Sequence, residues 1–148
     1  MRSQLLHDDG AKTWAVVLET GDEVASCLLE FARTQGLGAA RLTAIGAFRR
    51  AVLGYFDWER KDYRRNPVER QVEVVSLIGD IALKDDAPQL HMHAVLGEAD
   101  GRALGGHLLE GHVRPTLEVM VTETPAHLRR RHDEVSGLAL IYPREQAA

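Results

Sequence analysis

The sequence predicts an α+β fold in which one amphipathic helix accompanies a mainly antiparallel sheet. Three observations carry this expectation. Apolar residues recur at helical spacing only near the N-terminus, and the rest of the chain falls into short runs of strand formers. The connections between those runs are too short for crossover helices, residues 125–135 being the one stretch long enough for another helix.

Taken in order, Thr13–Thr20 is rich in β-branched and aromatic residues (Thr13, Trp14, Val16, Val17) and reads as a strand, after which Gly21-Asp22 supplies a turn and a helix N-cap. Val24, Leu28 and Phe31 then recur at i, i+4 and i+7 beside Ala25, Leu29 and Ala32. With Gly36 standing as the C-terminal cap, the helix is predicted over 22–35. Cys27 lies among apolar neighbours on that helix, which predicts a buried, unreactive thiol. After Gly38, strands are expected at Ala40–Phe48, Ala51–Trp58, Gln71–Gly79, Gln89–Gly97, Arg102–Leu109, Arg114–Thr124 and Gly137–Tyr142. Met1–Lys12 and Arg144–Ala148 show no such pattern and are expected to be loosely held.

Length and composition bound the function. A chain of 148 residues fits a single domain, with its core at about 14–142, and 45% hydrophobic residues exclude a disordered chain. Eighteen Lys and Arg against 22 Asp and Glu leave a net charge of −4, which argues against nonspecific duplex binding. Cys27 is the only cysteine, so neither an intrachain disulfide nor a multi-thiolate zinc site can form. Residues 1–20 lack an apolar signal core and no apolar run approaches the roughly 18 residues of a membrane span, so a cytoplasmic location without membrane partners is the default expectation.

Chemistry concentrates where histidine and glycine concentrate. His91, His93, His107 and His112 fall within 22 residues, together with Gly97, Gly101, Gly105, Gly106 and Gly111. In Leu90-His91-Met92-His93-Ala94-Val95-Leu96 the alternation turns Leu90, Met92, Ala94 and Leu96 to the core and both imidazoles to the other face, roughly 6–7 Å apart. Two such side chains can lean onto one metal ion. Zinc needs a third ligand, and His107 is the best candidate, because Glu98-Ala99-Asp100-Gly101-Arg102 has the composition of a hairpin turn. Register then decides. In one register His107 lies opposite His93 on the same face; shifted by one it opposes Ala94 and points away, unless a bulge at Gly105-Gly106 restores the phase. The competing reading is that a His-x-His pair merely decorates a solvated or intersubunit face. His112 reads as a spectator or as support behind the ligands, and His7, His127 and His132 as surface residues.

Glu73 and Glu118 are the candidate proton-transfer groups, since each interrupts an apolar strand where a lone charge is costly. Period-two alternation offers the other reading, in which both face solvent. The chain lacks a G-x-S-x-G elbow and a phosphate-binding loop, and Gly36-Leu37-Gly38 lacks the third glycine of a dinucleotide fingerprint. Two basic clusters, Arg60-Lys61 with Arg64-Arg65 and Arg129-Arg130-Arg131, are diluted by Glu59, Asp62, Asp133 and Glu134, and read as solvated faces.

The order of motifs adds a resemblance. Ala44-Ile45-Gly46-Ala47, Leu53-Gly54-Tyr55-Phe56-Asp57, Glu73-Val74-Val75-Ser76-Leu77-Ile78-Gly79, Leu90-His91-Met92-His93, Gly105-Gly106-His107-Leu108 and Thr116-Leu117-Glu118-Val119 follow one another between about Trp14 and Glu123. This arrangement resembles the PPC domain, the plants-and-prokaryotes-conserved family, in its stand-alone prokaryotic form. The resemblance implies a bent antiparallel sheet, a homotrimer, and His91, His93 and His107 as counterparts of the metal-binding histidines of bacterial and archaeal members. The implied cofactor is Zn2+ or another divalent transition metal. The fold is also similar to that of acetolactate decarboxylase, an enzyme with a three-histidine zinc site. Plant members join this domain to AT-hooks with an Arg-Gly-Arg-Pro core, a motif this sequence lacks, so DNA binding is expected to be weak.

Two functions follow. In the first, a trimeric protein binds zinc through three neutral histidines and leaves a coordination position for a small molecule. Any enzyme of this kind would be a metal-dependent lyase or hydrolase acting on a small carbonyl or carboxylate compound, with affinity for the metal falling below about pH 6. In the second, the chain is a non-enzymatic trimeric interaction module, with DNA-associated regulation as one version.

Overall fold

Strand formers at period two build most of the molecule. In the computed structural model, which describes residues 1–124 and 128–142, the elements are β1 (Arg2–Asp9), β2 (Ala11–Glu19), α1 (Val24–Gln35), β3 (Ala39–Asp57), β4 (Asp62–Val68), β5 (Val72–Lys84), β6 (Ala87–Gly97), β7 (Ala103–Glu123), β8 (Arg130–His132) and β9 (Ala139–Ile141). All the ladders between them are antiparallel. The main sheet runs β1-β2-β7-β6-β5-β3-β4, and β3 pairs with β7 as well, so β3, β5, β6 and β7 form a closed circuit. A separate hairpin, β8-β9, rests against it.

The α+β class with a bent antiparallel sheet and one main helix holds, while several boundaries differ. β3 and β7 each join two runs that the sequence separates at Arg49-Arg50 and at Glu110 to Val113. Partner strands continue the hydrogen-bonded ladder through both gaps, and bulges at Gly46/Phe48, Phe48/Arg50 and Val52/Leu53 bend the ribbon instead of breaking it. Gly46 permits the tightest part of the bend, because a Cβ there would run into the Thr116 carbonyl oxygen and lie 2.8 Å from Leu117 Cα. Met1–Lys12 is not a loose end. Its β1 folds back on β2 about Gly10 (φ 84), and because every β1 residue is exposed, no apolar alternation announces the strand. β4 escapes sequence reading for a similar reason, being exposed except at half-buried Tyr63 and at its buried end, Val68. Residues 128–135 hold β8 and a turn rather than helix. Residues 125–127 with His127, and the end Arg144–Ala148, lie outside the described residues.

Helix α1 matches its periodicity, burying Val24, Leu28, Phe31 and Ala32, with Trp14 set edge-on to Phe31 at 5.8 Å. Its cap is Glu23, not Asp22. The Ala25 and Ser26 N–H groups donate to the Glu23 carboxylate at 3.2 and 2.8 Å, whereas Asp22 accepts from the Glu19 N–H at 2.9 Å inside the preceding turn. Gly36 closes the helix in the left-handed region (φ 65). Cys27 is half-buried against the core, and burial pushes its thiol pKa up, away from reactivity. One core cluster joins the sheet to helix α1, and within it Val16, Leu28, Leu42, Phe48, Leu77, Leu96 and Leu117 are fully buried. Among the described residues no helix is long and apolar enough to cross a membrane.

Candidate metal centre

Alternation along β6 fixes the first two histidines. Met92, Ala94 and Leu96 are buried, so His91 and His93 stand on the opposite, outer face. The Glu98–Arg102 turn, closed by Glu98 N–H to Arg102 C=O at 2.8 Å and Gly101 N–H to Glu98 C=O at 2.9 Å, sets the register of the return strand. His107 pairs directly with His93, Ala94 with Gly106, and Leu96 with Leu104, so the in-face register holds without a bulge at Gly105-Gly106. Gly106 serves close packing instead, since a Cβ there would come within 2.8 Å of the Gly54 carbonyl oxygen.

The three imidazoles converge. Each offers a nitrogen, and these nitrogens all lie within 4.8 Å of one another. Ring centroids are 5.1 Å apart for His91–His93, 5.2 Å for His91–His107 and 5.3 Å for His93–His107. The Nε2 atoms of His91 and His93 are 3.2 Å apart. Two nitrogens at that separation, each about 2.1 Å from one ion, subtend roughly 100° at it, an angle between octahedral and tetrahedral coordination. The donor set therefore fits a divalent transition metal.

Electrostatics favour the neutral rings that coordination requires. The His107 ring stacks on Tyr63 at 4.7 Å, and its Nδ1 is buried without a hydrogen-bond partner among the described residues. Burial above all, then the neighbouring His91, His93 and Arg130, lower its pKa to about 4. His91 is lowered too, chiefly by burial and then by Arg130 and His93, with Asp80 opposing. Asp80 sits opposite His91 on β5, its Oδ2 4.0 Å from His91 Nδ1. Arg130 reaches in from β8, donates to Asp80 and to the Ala139 carbonyl at 3.1 Å, and leaves only 5% of its side chain exposed. Beside the triad lies a cavity of about 190 Å³, walled by His91, His107, Tyr63, Gln89, Leu90, Arg130 and residues 138–140 of the hairpin.

The structure brings the three histidines together and leaves the two glutamates outside. Glu73 is exposed opposite Gly97, at the far end of β6 from His91, and Glu118 is exposed between Val17 and Ile45; neither lines the cavity. His112 contacts Arg50 (3.1 Å) farther along β7, away from the triad, and His7 and His132 are on the surface. Much of the basic surface is paired: Arg64 with Asp57 (3.6 Å), Arg65 with Glu110, and Arg129 with Asp86 (2.7 Å), while Arg131 lies over the Tyr142 ring. Arg130 corrects the solvated-face reading of Arg129–Arg131. In a strand the middle of three successive arginines must face the other way, and here that way is inward. Asp80, an acid in the run Gly79-Asp80-Ile81, carries the matching signal.

Comparison with known proteins supplies the family. The profile of the Plants and Prokaryotes Conserved (PCC) domain, also abbreviated PPC, matches residues 7–125. The chain belongs to this family. A PCC-family protein of Pyrococcus horikoshii superimposes with a TM-score of 0.84 at 30% identity, covering 98% of this chain and 97% of its own. A protein of Archaeoglobus fulgidus described as metal-containing gives 0.83 at 33% identity, covering 97% and 99%. Another from Ralstonia eutropha JMP134, which carries a provisional DNA-binding name, gives 0.83 at 30% identity, covering 88% and 91%. The PCC fold also superimposes on a Staphylococcus aureus protein similar to alpha-acetolactate decarboxylase, with a TM-score of 0.55 at 13% identity over 74% of this chain and 51% of the other, a likeness of fold alone. In sequence, the chain is 27% identical over 139 residues to the bifunctional protein GlmU of Synechococcus sp. (strain JA-3-3Ab), and spans about a fifth of that protein's length (21%).

Proposed function

We propose that this PCC-domain protein is a homotrimer whose subunits each bind one divalent metal ion, zinc first, through His91, His93 and His107, with coordination positions left for a small oxygen ligand. The observation that carries the reading is the convergence of three imidazoles from paired strands, their nitrogens within 4.8 Å of one another. The lowered pKa of His107 and His91 supports it, and so does the metal-containing relative at 33% identity. The trimer draws support from the outer sheet face, where Ile45, Val75, Ile78, Val95 and Met120 are exposed, Ile78 directly opposite His93.

When bound, the ion would supply Lewis-acid polarisation of a carbonyl or carboxylate, the chemistry of a lyase or hydrolase acting on a small molecule. The chain's own residues do the positioning. The β6–β7 ladder holds His93 against His107, Tyr63 fixes the plane of the His107 ring, and Asp80 lies on the Nδ1 side of His91, where a carboxylate favours the tautomer that leaves Nε2 free. No proton transfer is assigned to Glu73 or Glu118 in this reading.

DNA-associated regulation is the second reading, favoured by the name of the Ralstonia relative. A net charge of −4 and arginines paired to Asp57, Asp86 and Glu110 weigh against it. Elemental analysis after zinc loading and dialysis tests the metal: His93→Ala and His107→Ala should lose stoichiometric zinc, and His112→Ala should keep it. Equal zinc in all variants, or none in the parent, would reduce the histidines to surface decoration. Light scattering should report about three times 16.4 kDa.

A further inference from the structure

The geometry points to the cavity beside the triad as a binding site for a small monocarboxylate with an apolar body, its carboxylate shared between the metal centre and Arg130. This rests on the reading that His91, His93 and His107 hold a divalent ion.

Charge demands an anion there. Three neutral imidazoles leave the ion's double charge uncancelled, and Asp80 is already engaged by Arg130. Among the described residues no acidic side chain lines the cavity. Arg130 is the group best placed to receive the anion. Its side chain is 5% exposed, a burial that arginine seldom adopts unless paired, and its five N–H donors exceed the demand of Asp80 and the Ala139 carbonyl. Its planar fork suits the two oxygens of a carboxylate.

Unsatisfied polar groups cluster at the same place. Four buried side-chain atoms lack a partner among the described residues, and three of them, Gln89 Oε1, His107 Nδ1 and Arg130 Nε, belong to residues lining this cavity; of the three, Arg130 Nε–H is the donor that suits a carboxylate. The remaining wall is apolar, from Leu90, Leu138 and Leu140. A cavity of about 190 Å³ is smaller than the roughly 300–1,000 Å³ of drug-sized sites, which limits the ligand to a short-chain acid. Inorganic phosphate meets the charge requirement but has nothing to place against the leucines.

Calorimetric titration of the zinc-loaded protein with butyrate, butyramide and inorganic phosphate tests the assignment. Butyrate should bind, butyramide should not, and phosphate should bind more weakly. Arg130→Gln should weaken butyrate by about tenfold or more with zinc content unchanged, the effect of losing a charge-assisted hydrogen bond. Arg130→Lys, which keeps a positive charge beside Asp80 but removes the planar fork, should also weaken butyrate and guards against misfolding of Arg130→Gln. Equal butyrate affinity with and without Arg130, equal binding of butyramide or phosphate, or no butyrate binding to zinc-loaded protein would overturn the inference. Absence of zinc from the parent would instead overturn the metal reading; the cavity is then judged on the metal-free protein, where Arg130-dependent butyrate binding would sustain it and its absence would sink it.

Discussion

Acidifying the metal-free protein should cost stability, and His107 sets the size of the loss. In the folded chain its pKa is about 4, against an ordinary 6.5, so between those values the unfolded chain binds more protons than the folded one. Stability is therefore full above the ordinary value and falls as pH drops through it. At pH 5 the two pKa values correspond to roughly 2 kcal/mol, and because the ring is only half-buried, solvent screening reduces this to about 1 kcal/mol. His91 adds to the loss with the same sign. The assay is urea unfolding with a chelator present at pH 7, 6 and 5, comparing the parent with His107→Gln. Staying at or above pH 5 keeps carboxylates such as Glu23, whose pKa is lowered, from contributing. The parent should lose about 1 kcal/mol more than the variant between pH 7 and 5, about 3 °C in thermal midpoint for a chain of this size. Parallel profiles for the two proteins would refute the buried, neutral His107 on which the ligand argument depends.

Other perturbations probe the scaffold and the surface. Gly46→Ala should destabilise by about 2–4 kcal/mol, read by chemical denaturation, because the added methyl collides with the backbone at Thr116 and Leu117. Glu23→Ala should cost about 1 kcal/mol through loss of the helix cap, and Asp22→Ala less, as seen by thermal melts. Titration with AT-rich and random duplexes at physiological salt should show weak, salt-sensitive binding at most; submicromolar, sequence-dependent affinity would put the interaction-module reading first.

The sequence discloses this protein where burial is one-sided. Leu90, Met92, Ala94 and Leu96 alternate with two histidines, and that pattern places both imidazoles on the outer face of β6 before any coordinate is known. The helix is legible for the same reason, through Val24, Leu28 and Phe31. Pairing partners are less legible. Whether His107 faces His93 turned on a hairpin register that composition leaves open, and β1 and β4 are strands because a neighbour completes their hydrogen bonds, not because their side chains alternate. Arg130 and Asp80 belong to the hidden part as well. Each looks like ordinary surface charge until the β8-β9 hairpin folds against β5 and turns one against the other.

The closed circuit of strands has a consequence for how the chain matures. Its last seam joins β3 to β7, with partners as distant as Ala40 and Glu123, so it cannot form until nearly the whole domain has been synthesised, and such long-range pairing is intrinsically slow. His91 and His93 on β6 meet His107 across the Glu98–Arg102 turn, a local hairpin that can form ahead of that seam. A nascent chain therefore gathers its three imidazoles on one face before the ring shuts. Arg130, supplied by β8, comes later in the chain, so the cavity beside the triad is complete only in the finished fold.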